Sequence, residues 1–582
     1  MRDVLDRVIA GATVVDGTGA PGFVANVGID GGRIARIATE PLDARETIAA
    51  DGMVVCPGFI DIHTHYDAQL LWDPTASPSP WHGVTTVLGG NCGFSIAPLA
   101  ADGAEYVKQM MTRVEGMTLA ALEGGGSWDW LGFGEYLARL DGKIAVNAGF
   151  LAGHSTLRRA VMGERATTDA ATADDLAALQ TLLHESLAAG ALGFSSSLGE
   201  GHVDGAGRPI PSRAAAFDEF VALAGVVREH PGTALEFIPT VGPIPEDRME
   251  LMAAMSLAAD RTLNWNLLGS LAGTEIYADQ LRASDIAAAR GAHVVALALP
   301  DVMRMRASAL LESLPGWRDV VRMDTEARNA AIADPETRAV LRAGAERQMQ
   351  EALGVLSDFT LMEVAPTAAT KDERWTGRGL ADIAAERGTD IVDVLIDVVL
   401  AERLALSVVL PSLTPSLGRT DEGWAARVEI WKDDRVVLGG SDAGAHVDLM
   451  CHANYPSVVL GEVVRDRDLL SIEEAVRMMT SVPAGLYGLK DRGTIREGAI
   501  ADLVVFDPER IATEPAEVRL DMPGGGERLT AGARGIDRVL VGGVDVVIAG
   551  VATGATPGTV LRSGVDTDTV TLAAARARTN GA

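Results

Sequence analysis

A chain of 582 residues, 47% hydrophobic and 22% charged, is too long for a single small core and has the make-up of an ordinary globular protein. Its formal net charge of −30 speaks against nucleic acid or an anionic membrane as partner, since like charges repel. Three isolated cysteines, Cys56, Cys92 and Cys451, exclude a disulfide framework, and no uninterrupted apolar run is long enough to span a membrane. The opening residues Met1-Arg2-Asp3-Val4-Leu5-Asp6-Arg7 lack the basic-then-apolar pattern of a signal peptide, so a cytoplasmic location is expected.

In chain order, residues 4 to 56 read as strands. Val8 to Gly17 is a β-rich run closed by Asp-Gly, and Val24 to Ile37 alternates around Asp30-Gly31-Gly32, a hairpin signal. From about residue 57 to 450 short apolar runs alternate with longer Ala/Leu/Glu/Arg-rich segments. Met53 to Ile62 is read as one buried strand leading to His63. Further strands are expected at 83–88, 143–150, 191–195, 233–238, 261–266, 293–298 and 436–440, with a helix over 173–189 stopped by Gly190. Eight strands separated by helices give the rhythm of an α/β protein of the (β/α)8 barrel type, with a helical insertion near 300–400. After residue 490 strand texture returns at Leu503-Val504-Val505-Phe506 and in a hairpin around Gly542-Gly543. Residues 566–582 read as a loosely held tail.

Chemistry is expected where barrel strands end. His63 and His65 are two apart on an extended segment, so both imidazoles project to one side and supply half of a first-row metal site. Cys92 follows the second apolar run between glycines, and its thiolate is a sound zinc ligand; alone, it reads equally well as a small buried turn residue. Asp442 follows the last run, placed to bind a metal and take a proton from its water; alone, it reads as a helix cap. His446 and His452 lie four and ten residues further on, and either can reach a pocket there.

Taken together, Pro57-Gly58-Phe59-Ile60-Asp61-Ile62-His63-Thr64-His65-Tyr66-Asp67, Gly83-Val84-Thr85-Thr86-Val87, Gly90-Asn91-Cys92-Gly93-Phe94-Ser95, Gly153-His154-Ser155, Gly193-Phe194-Ser195-Ser196 and Gly440-Ser441-Asp442-Ala443 resemble the amidohydrolase superfamily, and within it the N-acyl-D-amino-acid deacylase (D-aminoacylase) group. The resemblance implies a TIM-like barrel plus a β-sandwich built from both termini: residues 1–56 and 491–565 in the sandwich, 57–450 in the barrel and 451–490 in the last barrel helices. It also implies zinc and amide hydrolysis, with His63, His65, Cys92 and Asp442 carrying the site, and a homo-oligomer. Two features depart from the group. Its histidines after strands five and six are replaced here by Leu235-Glu236-Phe237-Ile238 and Asn264-Trp265-Asn266, and no Arg or Lys follows Asp442 in the loop 448–455.

These residues imply a cytoplasmic metal-dependent amidohydrolase that cleaves a linear amide, an N-acyl amino acid or related N-acyl compound, with one Zn2+ rather than two. Asp442 is expected to shuttle the proton, and His154 or a hydroxyl of Ser195–Ser197 to stabilise the oxyanion. Ser195, Ser196, His202, Arg208 and His446 are candidate contacts to a small-molecule substrate. Hydrolysis of a cyclic amide or lactone, and a catalytically silent binding or assembly subunit, remain as alternatives.

Overall fold

The structure, a computed structural model, describes residues 4–579 apart from 102, 241, 269–272, 302–303, 307–310, 313, 352–357, 365–373, 376, 403–405 and 410–419. Eight parallel strands form the central sheet: β1 (Phe59–Asp61), β2 (Val84–Gly89), β3 (Asn147–Phe150, resuming at Ala152–Gly153), β4 (Gly193–Ser197), β5 (Ala234–Ile238), β6 (Leu263–Leu268), β7 (Val294–Ala298) and β8 (Val436–Leu438). Each pairs in parallel with the next, through registers such as Ile60↔Thr86, Thr86↔Asn147, Phe194↔Ala152, Phe194↔Leu235 and Ala296↔Val436. The ring closes just beyond the strands, where Thr64 bridges Ala443, His65 N–H donates to Ala443 O (2.7 Å) and Asp442 N–H donates to His63 O (3.1 Å). Strands covered on both faces read as largely apolar runs, and β5 and β7 are buried at every position, with Glu236 the one charged residue among them.

The helix Ala173–Ala188 begins where Thr172 and Asp175 exchange side-chain and backbone hydrogen bonds, and it stops before Gly190, whose φ is +115°. One sequence expectation changes at the barrel entrance. The run Val54–Pro57 does not continue into β1; it pairs with Thr13 and Val14 on one side and with Leu503–Phe506 on the other. The chain changes sheet at Gly58, where a Cβ would stand 2.1 Å from Thr85 Oγ1. Apolar periodicity marks both segments as buried strand and cannot tell to which sheet each belongs.

Val54–Pro57 and Leu503–Phe506 sit at the middle of a nine-stranded mixed sheet, the β-sandwich region, that draws on both ends of the chain. Its core includes Ile9, Val14, Val27, Ile29, Leu503 and Leu540. The insertion has a separate core around Trp317, Leu341, Phe359, Ile383 and Val398. Besides helices it holds a small antiparallel sheet, Arg304–Arg306, Leu406–Val409 and Met362–Val364, where the sequence suggested helices alone. The C-terminal residues are also better tied than expected. Thr567 Oγ1 donates to Gly232 O (2.6 Å), and Leu572 and Ala575 are buried at the start of the helix Leu572–Thr579. Among the described residues no helix is long and apolar enough to cross a membrane.

Candidate metal centre

At the C-terminal mouth of the barrel four side chains converge. Cys92 Sγ lies 3.3 Å from His63 Nε2 and 3.6 Å from His65 Nε2. Asp442 Oδ1 lies 3.1 Å from His65 Nε2 and 3.5 Å from His63 Nε2. Donors around a tetrahedral zinc, with Zn–N near 2.0–2.1 Å and Zn–S near 2.3 Å, are spaced by roughly 3.3–3.6 Å. His63, His65 and Cys92 form a mutually close group that fits such an ion in chemistry and spacing, and Asp442 approaches it from the side of the two histidines. The histidines and the cysteine are buried, whereas Asp442 keeps 27% of its side chain exposed.

The backbone aims these groups. Cys92 and Asp442 both have φ of +58°, in the left-handed region that ordinary residues seldom occupy. Cys92 is held there because its N–H donates to Glu236 Oε2 (2.9 Å) and the next N–H, of Gly93, donates to Ser195 Oγ (3.1 Å). Ser441 Oγ donates to Asp61 Oδ2 and accepts from Ala443 N–H (3.0 Å), which fixes the turn around Asp442.

Electrostatics follow from burial and proximity. Burial pushes the His63 imidazole down to about 3 despite the Asp442 charge. Burial also opposes charge on His65, but Glu115, Cys92 and Asp442 outweigh it and raise this imidazole well above its usual value. Burial acts to raise Asp442, yet the hydrogen bond and charge of His65, with His63 and His446, hold it well below the usual carboxylate range. Cys92 is raised by burial, and Glu236 is raised by burial to about 8.

The remaining sequence candidates are placed differently. His154 is corrected: its Nδ1 pairs with Ser196 Oγ and its Nε2 with Glu219 Oε1, each at 2.8 Å, so neither nitrogen is left for an oxyanion. It packs edge-on against Phe220 of the helix Phe217–Val227, and Arg158 completes the pairing with Glu219. Ser196 spends one hydrogen bond of its hydroxyl on that ring. Ser195 is not a free hydroxyl; it donates to Gly90 O and so latches the loop that carries Cys92. Arg208 pairs its guanidinium at 2.9 Å with Asp204 of its own loop while keeping part of its side chain exposed. His202 and His446 do stand near the centre. His446 Nε2 is 4.0 Å from Asp442 Oδ2, and His202 hydrogen-bonds Ser197 Oγ (2.8 Å) and feels the charges of Glu115, His446, Asp442 and His65.

The positions after strands five and six offer no histidine. Glu236 turns one oxygen to the Cys92 backbone and keeps Oε1 3.8 Å from His63 Nδ1. Asn264 donates to Leu235 O (2.8 Å), while the Asn266 amide reaches 3.3 Å from His63 Nε2. Sequence reasoning missed Glu115, which is 1% exposed and 3.1 Å from His65 Nδ1. Its one signal was an acidic residue set between apolar Val114 and Met117.

A closed eight-stranded barrel with a His-x-His pair after its first strand and an aspartate after its last defines a metal-dependent hydrolase of the TIM-barrel class. The chain belongs to the amidohydrolase family, whose sequence pattern matches residues 46–547. It is 31% identical over 552 residues to a D-aminoacylase of Alcaligenes xylosoxydans xylosoxydans, covering 93% of this chain and 94% of that one. Among solved structures, a D-aminoacylase described as having a binuclear metal center with one-metal activation and second-metal attenuation superposes with a TM-score of 0.61 at 29% identity, covering 96% of this chain and all of the other. An N-acyl-D-glutamate deacylase of Bordetella bronchiseptica, complexed with zinc and a phosphonate inhibitor, gives 0.63 at 25% identity and the same coverage.

Proposed function

We propose that this amidohydrolase hydrolyses the linear amide bond of an N-acylated amino acid or a related N-acyl compound, and that it does so with one zinc ion held by His63, His65, Cys92 and Asp442. The observation that carries the reading is the spacing of the four donor atoms, 3.1–3.6 Å between each imidazole Nε2 and Cys92 Sγ or Asp442 Oδ1. The similarity to a D-aminoacylase and an N-acyl-D-glutamate deacylase supports the substrate class. Strands five and six support one ion rather than two. Glu236 is engaged with the Cys92 backbone, and Asn266 brings an amide, a poor zinc ligand, where the deacylase group has histidine.

When bound, the ion supplies a water acidified toward neutral pH and polarises the scissile carbonyl. The protein does the rest. Asp442, the one donor with an exposed edge, accepts the proton from the attacking water and returns it to the leaving nitrogen. His446, half-buried beside it, and His202 line the approach and are the candidate contacts to the acyl amino acid. His63 and His65 are sealed from solvent.

The test is metal analysis of the purified protein with a hydrolysis screen across N-acyl-D- and N-acyl-L-amino acids. About one zinc per chain with amide hydrolysis is expected; a protein that takes up no zinc after supplementation and cleaves no amide overturns the reading.

A further inference from the structure

Both imidazoles that present Nε2 to the centre have their other nitrogen, Nδ1, buried and without a hydrogen-bond partner among the described residues. For His65 the nearest carboxylate oxygen to Nδ1 is Glu115 Oε1, 3.1 Å away, itself buried and likewise without a hydrogen-bond partner among the described residues. Glu115 is 1% exposed and hangs from the turn that follows the helix Gly103–Val114, where Gly116 has φ of +68°. A carboxylate sealed in the interior is costly unless it is paired, and the group it meets here is a single imidazole.

We propose that Glu115 is a positioning residue for the centre: its carboxylate accepts the Nδ1–H of His65 and so fixes the tautomer in which Nε2 is bare toward Cys92 Sγ and Asp442 Oδ1. An imidazole can offer a lone pair at only one nitrogen when neutral, and the hydrogen bond made by the other nitrogen decides which. Without Glu115 both tautomers become accessible and the ring can turn. The partner of His63 is of another kind, since Glu236 Oε1 stands 3.8 Å from Nδ1, beyond hydrogen-bond reach. The inference rests on the metal-centre reading above and extends it from the ligands to the residue that orients one of them.

The test compares wild type, Glu115→Gln and Glu115→Leu. Zinc affinity is measured by competition with a chromogenic chelator, and the thermal midpoint of each metal-free protein is recorded. Loss of such an orienting carboxylate typically weakens metal binding about 10–100-fold. That range is expected for Glu115→Leu and a smaller loss for Glu115→Gln, which keeps an acceptor oxygen but not the charge. The metal-free Glu115→Gln protein is expected to melt within a few degrees of wild type. Zinc affinity within twofold of wild type in both variants overturns the proposal, as does a loss of affinity that only tracks a fall in the metal-free melting temperature. A wild-type protein that binds no zinc overturns the metal-centre reading along with this one, whereas zinc-binding wild type with unaffected variants overturns this one alone.

Discussion

Replacing Asp442 by Asn separates the two tasks assigned to that side chain. Asn has nearly the same shape, so the contact to His65 Nε2, 3.1 Å in the wild type, can persist through the amide oxygen, and His63, His65 and Cys92 remain to hold zinc. What disappears is the proton acceptor. General acid–base catalysis by a positioned side chain contributes about 10²- to 10⁴-fold. At about 1.4 kcal/mol per decade this is roughly 3–5 kcal/mol of barrier, read as kcat/KM on the best N-acyl amino acid with zinc content measured on the same samples. In the metal-free protein the substitution also removes a carboxyl whose folded-state pKa is held below its usual range by His65, His63 and His446, against the opposing effect of burial. A depressed carboxylate stabilises the fold above its unfolded value and loses that contribution as pH falls. The metal-free variant should therefore melt below wild type at neutral pH, with the gap closing below pH about 4. A zinc-loaded Asp442→Asn protein hydrolysing amides within tenfold of wild type would refute the assignment of proton transfer to this residue.

Cys92→Ala removes the buried sulfur 3.3 Å from His63 Nε2 and should weaken zinc binding by at least about tenfold in a chelator competition, as expected for a lost ligand. Arg208→Ala should leave KM within twofold of wild type, because that guanidinium serves Asp204 and Glu164 rather than the barrel mouth; a tenfold rise in KM counts against this placement. His82 is buried between Ser457 Oγ and Ala531 O, and burial pushes it down to about 4. A depressed histidine contributes stability above its unfolded value near 6.5 and loses it as pH falls toward 4, about 3 kcal/mol over that window. Denaturant unfolding at pH 6.5 and 4.5 should thus give a shallower acid loss for His82→Gln than for wild type, and parallel losses would count against it.

Barrel strands were legible at seven expected positions because strands buried on both faces are rich in apolar residues, whereas the first was merged with Val54–Pro57 of the neighbouring sheet and the buried serines of Gly193–Ser197 break the apolar pattern. The donor residues were legible for a related reason. His63, Cys92 and Asp442 follow such runs directly, and strand ends are where a barrel presents side chains to its mouth. What stayed hidden depends on contacts between distant segments. Glu115 belongs to no strand, and only the folded helix Gly103–Val114 brings it to His65. His154 carries a motif-like sequence but opens a helix, so its ring meets Phe220 and Glu219 between the layers. Arg208 reads as a free cation until the tight loop from Asp204 folds back on it.

The glycines beside the donor residues have a physical reason that joins these observations. A residue held at positive φ costs about 1–3 kcal/mol and persists only where its surroundings over-determine it. Cys92 and Asp442 both take that conformation, and in each loop a glycine lets neighbouring backbone come close enough to impose it. A Cβ on Gly90 would stand 2.2 Å from Leu151 O, so the loop bearing Cys92 presses directly on the break between the two parts of β3. One on Gly444 would stand 2.6 Å from the carbonyl of His65, at the contact that closes the barrel beside Asp442. The donor positions are therefore set by backbone packed against backbone, which shifts far less than side chains do. That rigidity helps keep Cys92 close to both histidines and Asp442 close to their Nε2 atoms, and it is why enlarging either glycine should disturb the centre without touching any ligand.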